Sequence, residues 1–200
     1  MLSFIALILA GRFVVTTGPG EQFTRPFGFP LLATSIDDVR ARLGRAQIRE
    51  TGDAGEYEMT ICYVASKTRA RVTFVSGEMG GDHHDLTAFR IGAEGRANVR
   101  GCLPSPEWLD KAVGVGVGGV RVGMSKRAFE QLVDHAELLS DGRLAAGFEH
   151  RDAMTPEQQR QASEAGESLE YPYWDTAIFV AGRFVRDRLI ELTVEKTMTR

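Results

Sequence analysis

The sequence predicts an α+β fold of two related units, each a helix followed by an antiparallel sheet, and three internal matches predict it. Ser35-Ile-Asp-Asp-Val-Arg-Ala-Arg-Leu43 aligns with Ser125-Lys-Arg-Ala-Phe-Glu-Gln-Leu-Val133, which sets Val39 over Phe129 and Leu43 over Val133. Val72-Thr-Phe-Val-Ser-Gly77 aligns with Ala177-Ile-Phe-Val-Ala-Gly182, and Leu86-Thr-Ala-Phe-Arg-Ile91 with Leu189-Ile-Glu-Leu-Thr-Val194. Self-similarity at a long interval marks a repeated supersecondary unit. The expected organisation is an apolar leader or first strand at 1–20, a first unit at 21–100, a junction at 101–120 and a second unit at 121–200 with an insertion at 151–170.

Taken in order, the chain opens on the apolar run Leu2-Ser-Phe-Ile-Ala-Leu-Ile-Leu-Ala10. The run is too short to span a bilayer, but it has the length of a signal-peptide hydrophobic region. No basic stretch precedes it, and Leu9-Ala-Gly-Arg12 is similar to a lipoprotein processing box with arginine where the lipidated cysteine belongs. Two readings stand: an export signal whose start was placed late, or a first core strand over residues 4–15. Residues 17–30, dense in Gly and Pro, read as a loop whose Phe23, Phe27 and Phe29 pack on the first unit. Thr34 or Ser35 then caps a helix with Asp37 and Asp38 in its first turn and Ile36, Val39 and Leu43 as its stripe, stopped by Gly44.

A turn at residues 52–55 precedes strands over 57–64 and 70–75, rich in β-branched and aromatic residues, and a third over 86–91. Residues 93–106, with Gly95, Gly101, Pro104 and Pro106, form the junction. The second unit has a helix over about 125–138, carrying Phe129, Leu132 and Val133, then a strand over 144–150. Thr155-Pro-Glu-Gln158 is a capping box with proline at the first helical position, so it starts an exposed helix within the insertion. Residues 174–182 and 188–196 close the chain as a hairpin through Arg183-Phe-Val-Arg-Asp187.

Composition bounds the function. With 43% hydrophobic and 26% charged residues the chain can bury a core, and its net charge of −3 provides no basic field for nucleic acid. No segment reaches transmembrane length, and no cofactor motif stands in the context its chemistry needs. Two cysteines, Cys62 and Cys102, lack zinc-site spacing. They are either a disulfide of an oxidising compartment or a buried strand thiol beside an unrelated loop thiol.

The densest set of metal-ligand types is Gly80-Gly-Asp-His-His-Asp85, where Asp82, His83, His84 and Asp85 would serve a metal-dependent enzyme if the backbone turned both imidazoles inward. A hairpin loop rich in turn-forming residues is the plainer reading. Gly114-Val-Gly-Val-Gly-Gly119 satisfies the dinucleotide-binding pattern, yet the helix cap comes only at Ser125, too late for a pyrophosphate site. Its alternating Val113, Val115 and Val117 read as an extended segment. Ser76 lacks a nucleophile elbow, and Cys62 sits mid-strand. Tyr171, Tyr173 and Trp174 form an aromatic set suited to a protein partner or to plugging a core edge. Arg183, Arg186 and Arg188 read as a solvated hairpin end.

A helix followed by a three-stranded meander, twice over, resembles the β-lactamase inhibitor protein fold, and the single unit resembles small outer-membrane assembly lipoproteins of the SmpA/BamE type. Val122-Gly-Met-Ser-Lys-Arg-Ala-Phe129 looks like the helix start of such units, and Thr34-Ser-Ile-Asp-Asp-Val39 like a degenerate copy. The resemblance implies a non-catalytic protein of the bacterial envelope, periplasmic or secreted, presenting a sheet surface to a protein partner. The alternatives are the metal-dependent enzyme and an intracellular, cytoplasmic structural protein whose first strand is residues 4–15.

Overall fold

The computed structural model describes residues 18–53, 56–93, 101–166 and 168–199. Both readings of the apolar run, leader or strand, therefore lie outside the described residues. Short 3-10 turns at Glu21–Phe23 and Pro26–Gly28 lead into α1 (Ile36–Leu43), β1 (Arg49–Thr51), β2 (Glu58–Val64), β3 (Arg71–Gly77) and β4 (Ala88–Gly92). Next come β5 (Leu103–Pro104), α2 (Glu107–Val115), α3 (Lys126–Leu132), β6 (Glu137–Leu138), β7 (Leu144–Ala153), α4 (Pro156–Glu164), β8 (Tyr173–Val185) and β9 (Arg188–Thr199). The strands form one nine-stranded sheet, ordered β1-β2-β3-β4-β9-β8-β7-β6, with β5 parallel to the end of β2.

Strand alternation fixes which face is buried. Met59, Ile61 and Tyr63 on β2, Val72 and Phe74 on β3, Phe89 and Ile91 on β4, and Leu192 and Val194 on β9 point to one side. Helices cover that side: Ile36, Val39 and Leu43 of α1, Leu109 and Val113 of α2, and Phe129 of α3 enter one continuous core with the strands. The middle of the sheet is the β4–β9 pair, where Phe89 lies opposite Val194 and Ile91 opposite Leu192. The protein is thus an α+β fold on an antiparallel sheet, with the small parallel β5 at its edge.

Local chemistry explains the helix starts. Ser35 accepts from the Asp38 amide at 3.1 Å while the Asp38 carboxylate accepts from the Ser35 amide at 3.0 Å. The Ser35 amide and the Ser35 hydroxyl, both donating to the Asp38 carboxylate, hold that carboxyl below the usual carboxylate range. Thr155 and Gln158 form the same reciprocal box at α4.

Four expectations are corrected. The helix expected over 125–138 ends at Leu132, because Val133 leaves helical geometry and His135 takes a positive φ of 58°. Leu138 therefore belongs to a strand, and Leu132 is exposed while Phe129 and Val133 are buried. Residues 107–115 are helical, since Leu109 and Val113 make an i, i+4 stripe that outweighs the valine–glycine alternation. The following glycines serve a tight turn closed between Val117 and Val120, with Gly116, Gly118 and Gly119 all at positive φ. The last hairpin is tighter than expected: only Arg186 and Asp187 lie outside the strands, both at positive φ as a type I′ turn requires. Finally, Phe23 packs against Phe148 of β7, at 6.0 Å between ring centroids, while Phe27 and Phe29 contact Phe89 and Phe74.

Two ties hold the periphery. Cys62 and Cys102 are disulfide-bonded, Cα–Cα 4.8 Å, fastening the start of β5 to β2. Asp110 of α2, 5% exposed, accepts from the Ser66 and Lys67 amides and from the Ser105 hydroxyl, so one buried carboxylate fixes the β2–β3 turn against the helix.

Candidate protein-binding face

The alternate residues of each strand form the second face of the sheet, away from α1, α2 and α3. Its floor is made of short side chains: Ala88 on β4, Ala177 and Ala181 on β8, Gly147 on β7, and threonines 60, 73, 193 and 197. Longer residues rise around this floor and leave grooves of about 530, 480, 250 and 230 Å³. The largest runs over Glu58, Val75, Gly77, Ala88, Glu195 and Thr197, crossing β2, β3, β4 and β9.

Charge on this face is divided. At the β1–β4 end, Arg49, Arg71 and Arg90 line one groove, with Glu58 bound to Arg90 at 2.6 Å. Toward β9 and β7 the face turns acidic, with Glu195 and Glu149 lining the groove that also holds Phe179. Phe179 stands opposite Gly147, half-buried, with the Arg143 guanidinium 5.9 Å from its ring centre. At the β7–β8 end, Arg151 pairs with Asp175 at 2.7 Å, and those bonds hold the Asp175 carboxyl below its ordinary value. Phe179 therefore shares its groove with Glu149 and Glu195 and has Arg143 beside its ring, while the arginine-lined groove lies at the β1–β4 end of the face.

The aromatic set found in the sequence is split by the strand. Tyr173 is exposed on the open face, its ring 5.9 Å from the Arg151 guanidinium, and Tyr171 just before it is exposed too. Trp174 points to the other side, opposite Asp152. Phe179 was missed as an anchor by the reading of the sequence. Its signal was available in the alternation Ala177, Phe179, Ala181, which sets one large residue between two small ones on one face.

The Asp82, His83, His84 and Asp85 loop connects β3 and β4. Asp82, His83 and His84 are exposed, and among the described residues no three His, Cys, Asp or Glu side chains are grouped to hold a metal ion. What the loop does do is structural: the His84 carbonyl accepts from the Ile36 amide at 3.0 Å, and Asp85 bridges Ser35, so the loop seats the start of α1.

On the helix side of β7 and β9 lies a polar cluster that fastens the first described residues. Glu21 is bound by Lys196 at 2.5 Å and by the Thr24 hydroxyl at 2.7 Å, with His150 Nε2 at 3.5 Å. Burial alone would raise the Glu21 carboxyl; the hydrogen bonds from Lys196 and Thr24 and the neighbouring charges outweigh it and hold it below its ordinary 4.5. A depressed carboxyl contributes stability above its unfolded pKa and loses it as pH falls through the folded one. We therefore expect wild-type stability to fall more steeply than that of Glu21→Gln as pH drops below about 4.5, measured by urea denaturation from pH 6 to 3. Equal slopes would remove Glu21 from the acid response.

No family model matches the chain, and no curated protein matches it. Among solved structures the chain is similar to a Streptococcus mutans protein provisionally described as a beta-lactamase inhibitor protein, at 10% identity and a TM-score of 0.28, over 92% of this chain and 98% of that one. A likeness of that size leaves the function to be argued from geometry.

Proposed function

We propose that this chain is a non-catalytic protein-binding module of the bacterial cell envelope, built from two related helix-plus-sheet units whose joined open face receives a protein partner. The observation that carries the reading is the open face itself: a grooved floor of Ala, Gly and Thr, uncovered by α1, α2 or α3, with Phe179 set among Glu149, Glu195 and Arg143 and an arginine-lined groove at the β1–β4 end. An aromatic anchor surrounded by opposed charges is the arrangement protein interfaces use for affinity and register. The Cys62–Cys102 bond favours an oxidising compartment.

Paired features support the two-unit reading. Ser35 caps α1 and bridges Asp85, just as Ser125 caps α3 and bridges Arg188. Taking Leu86 as the counterpart of Leu189, Phe89 corresponds to Leu192 and Ile91 to Val194. The pairs Phe89↔Val194 and Ile91↔Leu192 then exchange with each other about a local two-fold axis. In this reading the units, 21–100 and 121–200, meet at β4 and β9.

Photo-crosslinking residues placed at Phe179 and Thr73, in the organism that encodes the chain, test this. The expected result is one envelope protein captured from both positions and none from Glu130, exposed on α3. Phe179→Ala should weaken that partner's binding about tenfold or more. Capture from Glu130 alone, or a chain found uncut in the cytoplasm with both thiols free, would overturn the proposal.

A further inference from the structure

Among the described residues, one edge of β7 has no strand beside it beyond Ala145. β8 pairs along the whole of Leu144–Ala153 with no shift of register, whereas β6 pairs only with Leu144 and Ala145. Among the described residues, no backbone hydrogen bond closes the other side of residues 147–153. An edge of this length recruits another strand unless its side chains prevent it, so the side chains decide what fits.

On the open face this edge carries Glu149 and Arg151, both exposed. Arg151 is held by Asp175 through Nε and one terminal nitrogen, which leaves donors on its other terminal nitrogen. Glu149 has no ion-pair partner among the described residues. Between them His150 turns to the helix side, 11% exposed, with its ring against Gly18 and Nε2 3.2 Å from Asp152.

We propose that the chain self-associates through this edge, two copies of β7 pairing antiparallel about a two-fold axis at His150. A two-fold axis perpendicular to the sheet places residues of like face opposite one another. The axis at His150 sets Glu149 against Arg151 of the second copy and Arg151 against its Glu149, two opposite-charge pairs on one face. An axis at Glu149 sets two carboxylates together, and one at Arg151 two guanidinia. The charges thus select a single register. Gly147 meets Ala153 at each end of the pairing, so no bulk keeps the backbones apart. Both open faces then lie on the same side of one continuous sheet. This inference concerns the edge and does not depend on the partner proposed for the face.

Sedimentation velocity of the full chain over a concentration series provides the test. Wild type should form a concentration-dependent dimer, and Glu149→Arg and Arg151→Glu should each weaken it about tenfold or more. A mixture of the two variants should restore association, since each supplies the charges the other lacks. If Arg151→Glu does not fold, a graded loss from wild type through Glu149→Gln to Glu149→Arg carries the same conclusion. A monomer at every concentration, a dimer indifferent to charge reversal at Glu149, or a mixture of folded variants that stays monomeric would each overturn the proposal.

Discussion

Replacing Cys62 and Cys102 together by serine is expected to lower stability by about 4 kcal/mol and to shift thermal unfolding down by roughly 10 °C. The bond closes a loop with a sequence separation of 40 residues, and its main effect is to remove conformations from the unfolded chain. The folded side adds a specific loss. β5 is only two residues long and pairs with β2 at Tyr63 and Val64, too few contacts to hold an edge alone. Reduction should therefore loosen residues 103–106 first. Asp110 shares that neighbourhood, because the Ser105 hydroxyl it accepts lies just beyond β5. Hydrogen exchange of the Ser105 amide, which donates to the Val64 carbonyl at 2.9 Å, reads the local event, and urea denaturation reads the global one. Unchanged stability after reduction would mean that the unfolded chain is already compact around this loop.

How far the sequence could be read depended on whether a signal was local. Helix caps are local, so Ser35, Ser125 and Thr155 were legible from the few residues around them. Strand order was not, because joining β4 to β9 brings together segments a hundred residues apart with no trace in either. The alignment of Val72 with Ala177 shows the same limit. Under the proposed correspondence of Ile91 with Val194, Val180 is the counterpart of Val72, since Val72 pairs with Ile91 and Val180 with Val194. A slip of three residues is odd, so it moved Ala177, which lies on the open face, into correspondence with a core residue. Phe29 read correctly as a local contact of the first half. Phe23, six residues earlier, crosses to Phe148 because Glu21 is fastened to Lys196 on β9. Of the candidate face, only the alternation Ala177, Phe179, Ala181 has a local trace; which strands lie beside it, and so where its charges gather, required knowing the strand order.

That joining of halves carries a second large effect. Phe89 is fully buried on β4, paired across the seam with Val194 and touched edge-on by Phe27. Phe89→Ala should cost about 3–5 kcal/mol, the range for removing a buried aromatic ring and leaving part of its space empty. The chain has two tryptophans, Trp108 on α2 and Trp174 on β8, so each half carries its own fluorophore. Trp174→Phe leaves a reporter of the first half, and Trp108→Phe one of the second. A continuous core and an unbroken sheet bind the two halves into one cooperative unit, so both reporters should give the same urea midpoint, and Phe89→Ala should move both equally. If each half carried its own stability, Phe89→Ala would shift the Trp108 midpoint and leave that of Trp174 in place. Coincident shifts would instead make the β4–β9 seam the element that holds the open face as one surface.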